Sequence, residues 1–320
     1  MTRAIRVHRT GDASVLQLED VEVSPPGAGE VQVKHTALGL NFIDVYYRSG
    51  LYPTPLPMTP GQEAAGVVVS VGPGVSGFVA GDRVAYAGAV GAYADVRNVK
   101  AEVLVKVPDG IDDVTAAAVL LKGMTAHMLL FGVRDTKRGE TLLFHAAAGG
   151  VGQLVTQWAR HVGATVIGSV GSAAKVELAA RHCDHVVTTD GDWVAAVKSI
   201  APHGVDAAFD SIGKDTLLKS LDAVRDRGML VSFGQSSGKP PPIEMGMLGG
   251  HRSLFVTRPS LHGWNHDRAS LESRANALFE ALKRGAVKVA TPTQFKLSEV
   301  ADAHRALEGR KTTGSVVLIP

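Results

Sequence analysis

The chain has 320 residues, of which 45% are hydrophobic and 20% are charged, a composition typical of a globular protein with two domains. Its formal net charge of +2 excludes a global basic field that would attract nucleic acid or anionic lipid, and no uninterrupted apolar run reaches the about 18 residues of a spanning helix. The lone cysteine, Cys183, excludes an intramolecular disulfide. We therefore expect a cytoplasmic protein whose main partner is neither a membrane nor a nucleic acid.

The first part of the chain, residues 1–122, has the pattern of a compact β-rich domain. Its apolar runs are short and β-branched, and clusters of glycine and proline separate them where turns belong. Strands are predicted at 31–38, 65–72 and 82–86. Helices are predicted only at Phe42–Arg48 and Val114–Leu121.

From Gly123 to about residue 262, short apolar strands alternate with longer helical stretches. This alternation predicts a parallel sheet with helices on both of its faces, which is a doubly wound α/β fold of the Rossmann type. The predicted helices of this part lie at 151–162, 173–182, 193–200 and 216–225.

The last part, residues 263–320, contains two predicted helices and two short strands. Because these strands need a sheet to join, we expect the C-terminus to return to the first domain. The predicted division is therefore 1–122 with 263–320 as one domain and 123–262 as the other. Ligand pockets form preferentially between domains, so the sequence predicts a cleft there.

The sharpest motif runs from Ala146 to Gly152 and reads AAAGGVG. It follows the apolar strand TLLFH and opens a predicted helix, which is the context of a dinucleotide-binding turn. Small residues allow a tight turn and a close approach of the backbone to a pyrophosphate, which the helix N-terminus attracts. The motif predicts cofactor contacts from Gly149, Gly150, Val151 and Gly152.

The end of the second strand of the predicted sheet selects the nucleotide. NAD-binding proteins place Asp or Glu there to bond the ribose 2′-hydroxyl, whereas this chain has Val170. Gly171, Ser172 and Lys175 follow, and a hydroxyl with an ammonium group suits a 2′-phosphate. The prediction is NADPH, the alternative being that Lys175 is an ordinary solvated helix lysine.

The sequence His182-Cys183-Asp184-His185 contains residue types that bind metals. It lies between a predicted helix and a strand, where neighbouring side chains seldom converge on one ion. We interpret it as a helix end and predict no metal site.

Taken together, these segments resemble the ζ-crystallin-like quinone oxidoreductase family of the medium-chain dehydrogenase/reductase superfamily. The resemblance runs from end to end. It is carried by GLNFIDVYYRSGLYP at 39–53, GQEAAGVVVSVGPGV at 61–75, LLKGMTAH at 120–127, HAAAGGVGQL at 145–154, FDSIGKDT at 209–216, VSFGQSSG at 231–238, VTRPSL at 256–261 and the terminal GSVVLIP. It implies a GroES-like catalytic domain beside the Rossmann domain, an NADPH cofactor and a homodimer.

The resemblance also implies the roles of individual residues. Asn41 contacts the nicotinamide, Tyr46 and Tyr52 line the acceptor pocket, and Arg258 orients or polarises the acceptor. Ordinary aromatic packing and a surface ion pair are the alternatives for the tyrosines and for Arg258. Further cofactor contacts are implied for Thr125, Ser211, Phe233, Gly234, Ser236, Ser237 and Arg310. A tyrosine that the family often has near the adenine is replaced here by Thr188-Thr189.

Zinc ligands are missing from this chain. Zinc alcohol dehydrogenases of the superfamily have a cysteine where Asn41 stands and a histidine where Gln62 stands, and amides are poor zinc ligands. The sequence therefore predicts a zinc-independent NADPH:quinone oxidoreductase. Two alternatives stay open, an NADPH-dependent enone or alkenal reductase and a low-turnover NADPH-binding protein.

Overall fold

The computed structural model describes all residues from Met1 to Pro320, and these form two compact units. Unit 1 comprises Met1–Met124, Asn265–Lys283 and Val289–Pro320, and unit 2 comprises Thr125–Trp264 and Arg284–Lys288. Whereas the sequence predicts a single domain for all of 263–320, the five residues Arg284–Lys288 group with unit 2. The side chain of Gln157 holds them there, because it donates to the Lys288 carbonyl at 3.0 Å and accepts from the Lys288 N–H at 2.9 Å.

Unit 1 is built on a two-stranded antiparallel sheet and a seven-stranded mixed sheet. We number the strands in chain order along the whole protein. Those of unit 1 are β1 (Thr2–Arg6), β2 (Gln17–Val21), β3 (Glu30–Leu40), β4 (Glu63–Val71), β5 (Arg83–Ala87), β6 (Val96–Lys100), β7 (Leu104–Lys106), β14 (Thr293–Lys296) and β15 (Val316–Ile319). The large sheet has the order β14-β15-β3-β4-β5-β7, with β6 also paired to β3. Only the β14–β15 pair is parallel.

Strand β3 is long because it pairs with three partners, β4, β6 and β15. Its apolar residues alternate as a strand buried on one face requires: Val31 and Val33 are buried, whereas Gln32 and Lys34 are not. In the β3–β4 register Gly39 lies opposite Glu63. The two strands thereby bring together the ends from which the candidate site is built.

Four α-helices belong wholly or mainly to unit 1. They are α1 (Phe42–Ser49), α2 (Asp113–His127), α8 (Arg268–Lys283) and α9 (Val300–Glu308). Helix α2 continues as a π-helical turn, Met128–Val133. The combined segment is long and apolar enough to cross a membrane, but 72% of its most apolar window is buried inside the protein, as in a core helix.

Unit 2 contains a six-stranded, wholly parallel sheet. Its strands are β8 (Thr141–Phe144), β9 (Thr165–Val170), β10 (His185–Thr188), β11 (Val205–Asp210), β12 (Val224–Ser232) and β13 (Phe255–Thr257). Their order, β10-β9-β8-β11-β12-β13, reverses direction between β8 and β11. This is the doubly wound order whose crevice at the reversal point binds dinucleotides. The predicted α/β class, with a separate β-rich unit, is confirmed.

The helices of unit 2 are α3 (Gly150–His161), α4 (Val176–Ala180), α5 (Trp193–Ile200), α6 (Leu217–Ala223) and α7 (Leu261–Trp264). Two predicted helices are wrong in extent. The predicted helix at 173–182 consists of a 3₁₀ turn, Ala173–Lys175, and the five-residue α4. The predicted helix at 216–225 ends at Ala223, because Val224 is buried and pairs with Val205 as the first residue of β12.

Candidate active site

The turn between β8 and α3 has the tight geometry that its sequence predicts. Ala146 has a left-handed backbone with φ of 55°, and its carbonyl accepts a hydrogen bond from the Gly149 N–H at 2.9 Å. A Cβ atom at Gly152 would lie 2.4 Å from the same carbonyl oxygen, so only glycine fits at that position. The first turn of α3 therefore offers its unpaired N–H groups beside a closely approaching backbone, and these residues fit a dinucleotide pyrophosphate.

A buried polar network lies directly beneath this turn. The imidazole of His145 contacts the Ser169 hydroxyl through Nδ1 at 2.6 Å and the Ser220 hydroxyl through Nε2 at 2.9 Å. Ser220 donates to the Asp210 carboxylate at 3.0 Å, so the imidazole donates to Ser220 through Nε2–H. Burial lowers the pKa of His145, which keeps the imidazole neutral. The network ties together the ends of β8, β9 and β11 that carry the turn.

Most of the other predicted cofactor residues follow the carboxyl ends of the parallel strands. Parallel strands end at one edge of a sheet, so the structure brings these residues to the same edge as the glycine turn. They are Gly171 and Ser172 after β9, Ser211 after β11, and Phe233, Gly234, Ser236 and Ser237 after β12. Arg258, which is predicted to orient the acceptor, follows β13 at the same edge.

The loops after β11 and β12 pack closely on each other. The Ser236 N–H donates to the Ser211 carbonyl at 3.1 Å, and a Cβ atom at Gly234 would lie 2.8 Å from that oxygen. The Ser237 hydroxyl donates to the Ile212 carbonyl at 2.9 Å. The ring of Phe233 lies 5.7 Å from that of Phe144 at the end of β8, centroid to centroid. These contacts fix the loops in which the predicted cofactor residues lie.

At the end of β9 the structure shows a small, neutral surface followed by a lysine. Val170 is buried, whereas Gly171 and Ser172 are exposed. Lys175 closes the 3₁₀ turn, and its N–H donates to the Ser172 carbonyl at 3.1 Å. The position where an NAD-binding protein has its carboxylate is therefore apolar, and the nearest charged side chain after it is a cation.

Arg258 is held by neutral partners. Its guanidinium donates to the Ser232 hydroxyl at 3.0 Å and to the Gln235 side-chain oxygen at 3.1 Å. A surface ion pair is therefore not what fixes this arginine. Thr125 is the buried first residue of unit 2, and Arg310 lies in unit 1 just after α9, with a left-handed φ of 56°.

In unit 1, Asn41 belongs to a buried cluster of charged and amide groups. It immediately precedes α1, and its side-chain Nδ2 donates to Glu63 Oε2 at 2.8 Å. The Lys122 ammonium donates to the same oxygen at 3.1 Å, and the Leu121 N–H donates to Oε1 of Glu63 at 2.6 Å. Asn41 directly follows β3, Glu63 begins β4, and Leu121 and Lys122 lie in α2. These three elements therefore position the cluster.

A second chain of contacts runs from the start of α1 to α9. Asp44 Oδ2 accepts from the Asn41 N–H and from the Tyr93 hydroxyl, both at 2.9 Å. The Tyr93 hydroxyl lies 3.3 Å from Nε2 of His304, and Arg48 donates to Nδ1 of His304 at 3.2 Å. The guanidinium of Arg48 also makes a bidentate pair with Glu308 at 2.7 and 2.8 Å.

Burial dominates the electrostatics of this second chain. It raises the pKa of Asp44 to about 7, against the lowering effect of hydrogen bonds from Asn41 and Tyr93. It also lowers the pKa of His304 to about 3, with the nearby Arg48 charge acting in the same direction. His304 is therefore neutral, with its proton on Nε2 facing Tyr93, and Asp44 titrates near neutral pH.

The predicted tyrosines form one aromatic group. The rings of Tyr46 and Tyr52 are 5.3 Å apart and those of Tyr47 and Tyr52 are 5.7 Å apart, both edge to face. The Tyr52 N–H also donates to the Tyr46 carbonyl at 3.0 Å. Tyr46 is buried, whereas Tyr47 and Tyr52 are partly exposed. The structure thus brings the two predicted acceptor-pocket residues into direct contact beside α1.

The donor set around Asn41 does not fit zinc. Asn41 and Gln62 present amides, and the Asn41 amide is already engaged by Glu63. Gln62 stands where a zinc enzyme has a histidine, and its Nε2 atom is buried without a hydrogen-bond partner. An imidazole nitrogen binds zinc, whereas an amide nitrogen does not. The single cysteine lies in unit 2, where burial raises the pKa of the Cys183 thiol to about 12.

The residues of the motif at 182–185 point in different directions. The Cys183 sulfur is buried against Gly168, and Asp184 accepts from the Val166 N–H at 2.8 Å. His182 and Asp184 line a surface cavity of about 490 Å³ with Arg160, Arg181 and Lys288. This cavity adjoins the starts of β9 and β10, at the edge of the sheet opposite to the glycine turn.

Sequence reasoning missed Glu63, Lys122, Asp44, His304 and His145. For two of them a signal was present, because Glu63 is a charge in the otherwise apolar strand EAAGVVVSV and Lys122 a charge in the apolar helix DVTAAAVLLKGMTAH. Buried charges need partners, so each predicts an opposite charge nearby. The partners themselves are separated by 59 residues and could not be matched from the sequence.

Each of the two units matches a known protein family. Residues 150–264 match the family model of the zinc-binding dehydrogenases, and residues 27–109 match that of the alcohol dehydrogenase GroES-like domain. A quinone oxidoreductase of Pseudomonas aeruginosa is 43% identical over the full length of both chains. A 2-haloacrylate reductase of a Burkholderia species is 43% identical over 100% of this chain and 99% of its own.

A solved structure shows the same fold in detail. The quinone oxidoreductase of Escherichia coli, crystallised with NADPH, is 43% identical and superposes with a TM-score of 0.97 over 99% of this chain and 100% of its own. A doubly wound sheet with a glycine turn, joined to a β-rich GroES-like unit, defines a medium-chain dehydrogenase/reductase. The chain belongs to the quinone oxidoreductase family of that superfamily.

Proposed function

We propose that this protein is a zinc-independent NADPH:quinone oxidoreductase. The observation that carries the proposal is the donor set of unit 1, where the amides of Asn41 and Gln62 stand at the positions of metal ligands and Tyr46 contacts Tyr52. An alcohol dehydrogenase needs a Lewis acid there, whereas reduction of a quinone needs only an apolar slot and hydrogen-bond donors. The full-length similarity to quinone oxidoreductases supports the same reaction.

Unit 2 supplies most of the cofactor contacts in this proposal, and Asn41 and Arg310 of unit 1 supply the others. The N–H groups of the first turn of α3 bind the pyrophosphate, and Ser172 with Lys175 binds the 2′-phosphate. A carboxylate in place of Val170 would repel that phosphate, so its absence favours NADPH over NADH. When bound, NADPH supplies the two electrons that the acceptor takes up, and Thr125, Ser211 and Arg310 complete its contacts.

Unit 1 supplies the acceptor contacts. Tyr46 and Tyr52 stack on a flat acceptor and their hydroxyls donate to its oxygens, where negative charge grows during reduction. Asn41 contacts the nicotinamide. Arg258, whose charge is not neutralised by a carboxylate partner, orients the acceptor in the same proposal.

The test is steady-state oxidation of NADPH and NADH with 1,4-benzoquinone and 9,10-phenanthrenequinone, in metal-free buffer with chelator. We expect rapid NADPH consumption that survives the chelator. Replacing Lys175 by Met is expected to raise KM for NADPH about tenfold and leave KM for NADH unchanged, because only NADPH carries the 2′-phosphate. The matched control is Lys198→Met on the exposed face of α5. A clear preference for NADH would refute the assignment of Ser172 and Lys175 to the 2′-phosphate and would leave the quinone reaction standing.

A second candidate is an NADPH-dependent enone or alkenal double-bond reductase. The observation that favours it is the 2-haloacrylate reductase, which is as similar to this chain as the quinone oxidoreductases are. Turnover of enones without turnover of quinones in the same assay would select it. NADPH binding without turnover of either acceptor would select the low-turnover NADPH-binding protein instead.

We also propose that the protein is a cytoplasmic homodimer. Strand β13 is an edge of the unit 2 sheet, and Phe255 on it is 58% exposed, with Met245 and Met247 exposed in the preceding segment. An apolar edge strand invites pairing with another strand, and a second copy offers the same edge. The net charge of +2 makes nucleic acid a poor main partner.

A further inference from the structure

The buried pair formed by Lys122 and Glu63 has no role in the function proposed above. The side chain of Glu63 is completely buried and that of Lys122 is 6% exposed, so both charges are removed from water. Replacing a buried ion pair by apolar residues is often neutral or stabilising, so stability alone gives little reason to have one here. What distinguishes this pair is its third partner, the amide of Asn41.

Glu63 dictates which way the Asn41 amide faces. An ionised carboxylate only accepts hydrogen bonds, so the amide nitrogen of Asn41, not its oxygen, must face Glu63 Oε2. The second N–H and the oxygen of the amide are thereby held in fixed directions. If Glu63 carried a proton on Oε2, that proton would be offered to the amide, and the favoured orientation of Asn41 would reverse.

Lys122 places its positive charge against the oxygen of Glu63 that faces Asn41. Its ammonium lies 3.1 Å from the oxygen that Asn41 contacts, whereas Oε1 is engaged by the Leu121 N–H. The only carboxylate oxygen that could take up a proton without losing a backbone hydrogen bond is therefore Oε2. The ammonium opposes that protonation and keeps the carboxylate an acceptor for Asn41.

The surrounding chain leaves a space shaped for this carboxylate. Gly39 lies opposite Glu63 in the β3–β4 register, and a Cβ atom there would be 2.3 Å from Oε2. The other charged or titratable groups that act on Glu63 are Asp44 from α1 and Tyr93. The carboxylate of Glu63 is thus enclosed by a glycine, an ammonium group, an amide and a backbone N–H.

We propose that Lys122 and Glu63 are positioning residues that fix the Asn41 amide in the orientation required by the nicotinamide. This inference rests on the proposed function for the assignment of Asn41 to the nicotinamide. Neither residue of the pair touches the cofactor in this proposal; both act through Asn41. A purely structural pair would influence folding without distinguishing one part of NADPH from another.

The test compares the affinities of the full-length protein for NADPH and for adenosine 2′,5′-bisphosphate, which lacks the nicotinamide. For Lys122→Met we expect the Kd of NADPH to rise about tenfold and that of the bisphosphate to stay within about twofold, because one oriented contact is lost. Lys106→Met, which breaks the exposed pair with Asp82, is the matched control.

A double variant, Lys122→Met with Glu63→Gln, removes both charges of the pair. The introduced glutamine keeps its oxygen on the Leu121 N–H and turns its NH₂ group towards Asn41, so the favoured orientation of the Asn41 amide is reversed. We expect the same selective loss of NADPH affinity, because the reversed amide loses its contact with the nicotinamide. If Lys122→Met does not fold, the affinities of the double variant alone decide the outcome.

Equal weakening of NADPH and the bisphosphate, or no weakening of either, would overturn the positioning role. These outcomes are distinguishable from failure of the proposed function, because the binding measurements need no turnover. A wild-type protein that does not reduce quinones, yet shows the selective loss in Lys122→Met, would retain this inference and lose the quinone reaction.

Discussion

Gly152 leaves no room for a side chain in the turn to which we assign the pyrophosphate. A Cβ atom would meet the carbonyl oxygens of Ala146 and Ala147 at 2.4 and 2.7 Å, and neither backbone atom can move without opening the turn. We expect Gly152→Ala to raise the Kd of NADPH at least about tenfold and to lower Tm. Gly191→Ala, where nothing lies within 4 Å, is the control that should change neither. An unchanged Kd of NADPH for Gly152→Ala, measured by fluorescence titration, would contradict the assignment of the pyrophosphate to this turn.

Asp44 and His304 make opposite contributions to the pH dependence of stability. The pKa of Asp44 is about 7 in the folded protein and about 3.9 in an unfolded chain, so its contribution falls as pH rises between these values. The pKa of His304 is about 3 when folded and about 6.5 when unfolded, so its contribution is present above about pH 6.5 and is lost on acidification. The two effects overlap and largely offset each other between about pH 4 and 6.5.

Replacing Asp44 by Asn should expose the His304 effect alone. The variant has no buried carboxyl to ionise, so relative to the wild type it should gain on the order of 3 kcal/mol between about pH 5 and pH 8, at about 1.4 kcal/mol per pKa unit. Thermal unfolding followed at several pH values measures this difference. Asp109→Asn, at an exposed position, is the control and should track the wild type. A constant difference between Asp44→Asn and the wild type would refute the raised pKa of Asp44.

Among the elements, β13 is an edge strand that exposes a large apolar side chain. It is three residues long, it forms an edge, and Phe255 projects into solvent. If two copies pair along this edge, Phe255→Lys brings two positive charges close together across the two-fold axis and should yield monomers. Light scattering after gel filtration measures the mass. Leu18→Lys, on an exposed apolar residue of β2, should leave the mass unchanged, and a monomeric wild type would refute the dimer.

The elements that could be predicted are those with a clear apolar period. Strands such as β3 and β4 and the helix α3 lie within one or two residues of their predictions, because alternation and 3.6-residue periodicity are local properties. The composition of the segment at 173–182 predicts one helix. In the structure its start is a 3₁₀ turn, because Ser172 provides no side-chain cap and the following α4 is short.

The candidate site was only partly predictable for a physical reason. The glycine turn is a contiguous motif, so its geometry could be derived from the residues. The environment of Asn41 depends on Glu63 and Lys122, which are brought together by the pairing of β3 with β4 and by the packing of α2. Pairing between distant segments leaves no local pattern, so the partners of a buried charge could be expected but not named.

At the scale of the whole molecule, the sheet of unit 1 is completed only by the last residues of the chain. Strand β15 lies between β14 and β3, and Leu318 on it is fully buried. Leu318→Asp would bury an unpaired carboxylate at this join and should destabilise the protein by about 4 kcal/mol or more. Urea unfolding measures the loss, and Val79→Asp at a 63% exposed residue is the control. Equal stability of the two variants would contradict the burial of β15 between β14 and β3.

The segment Arg284–Lys288 has a consequence for how such proteins recombine. The chain passes from one unit to the other four times, after Met124, Trp264, Lys283 and Lys288. A chimera made with one crossover therefore always inherits unit 1 from two parents, and a nucleotide module excised as 125–264 leaves behind the five residues that Gln157 anchors. Exchange of intact modules between relatives requires paired crossovers, together with a graft of these five residues.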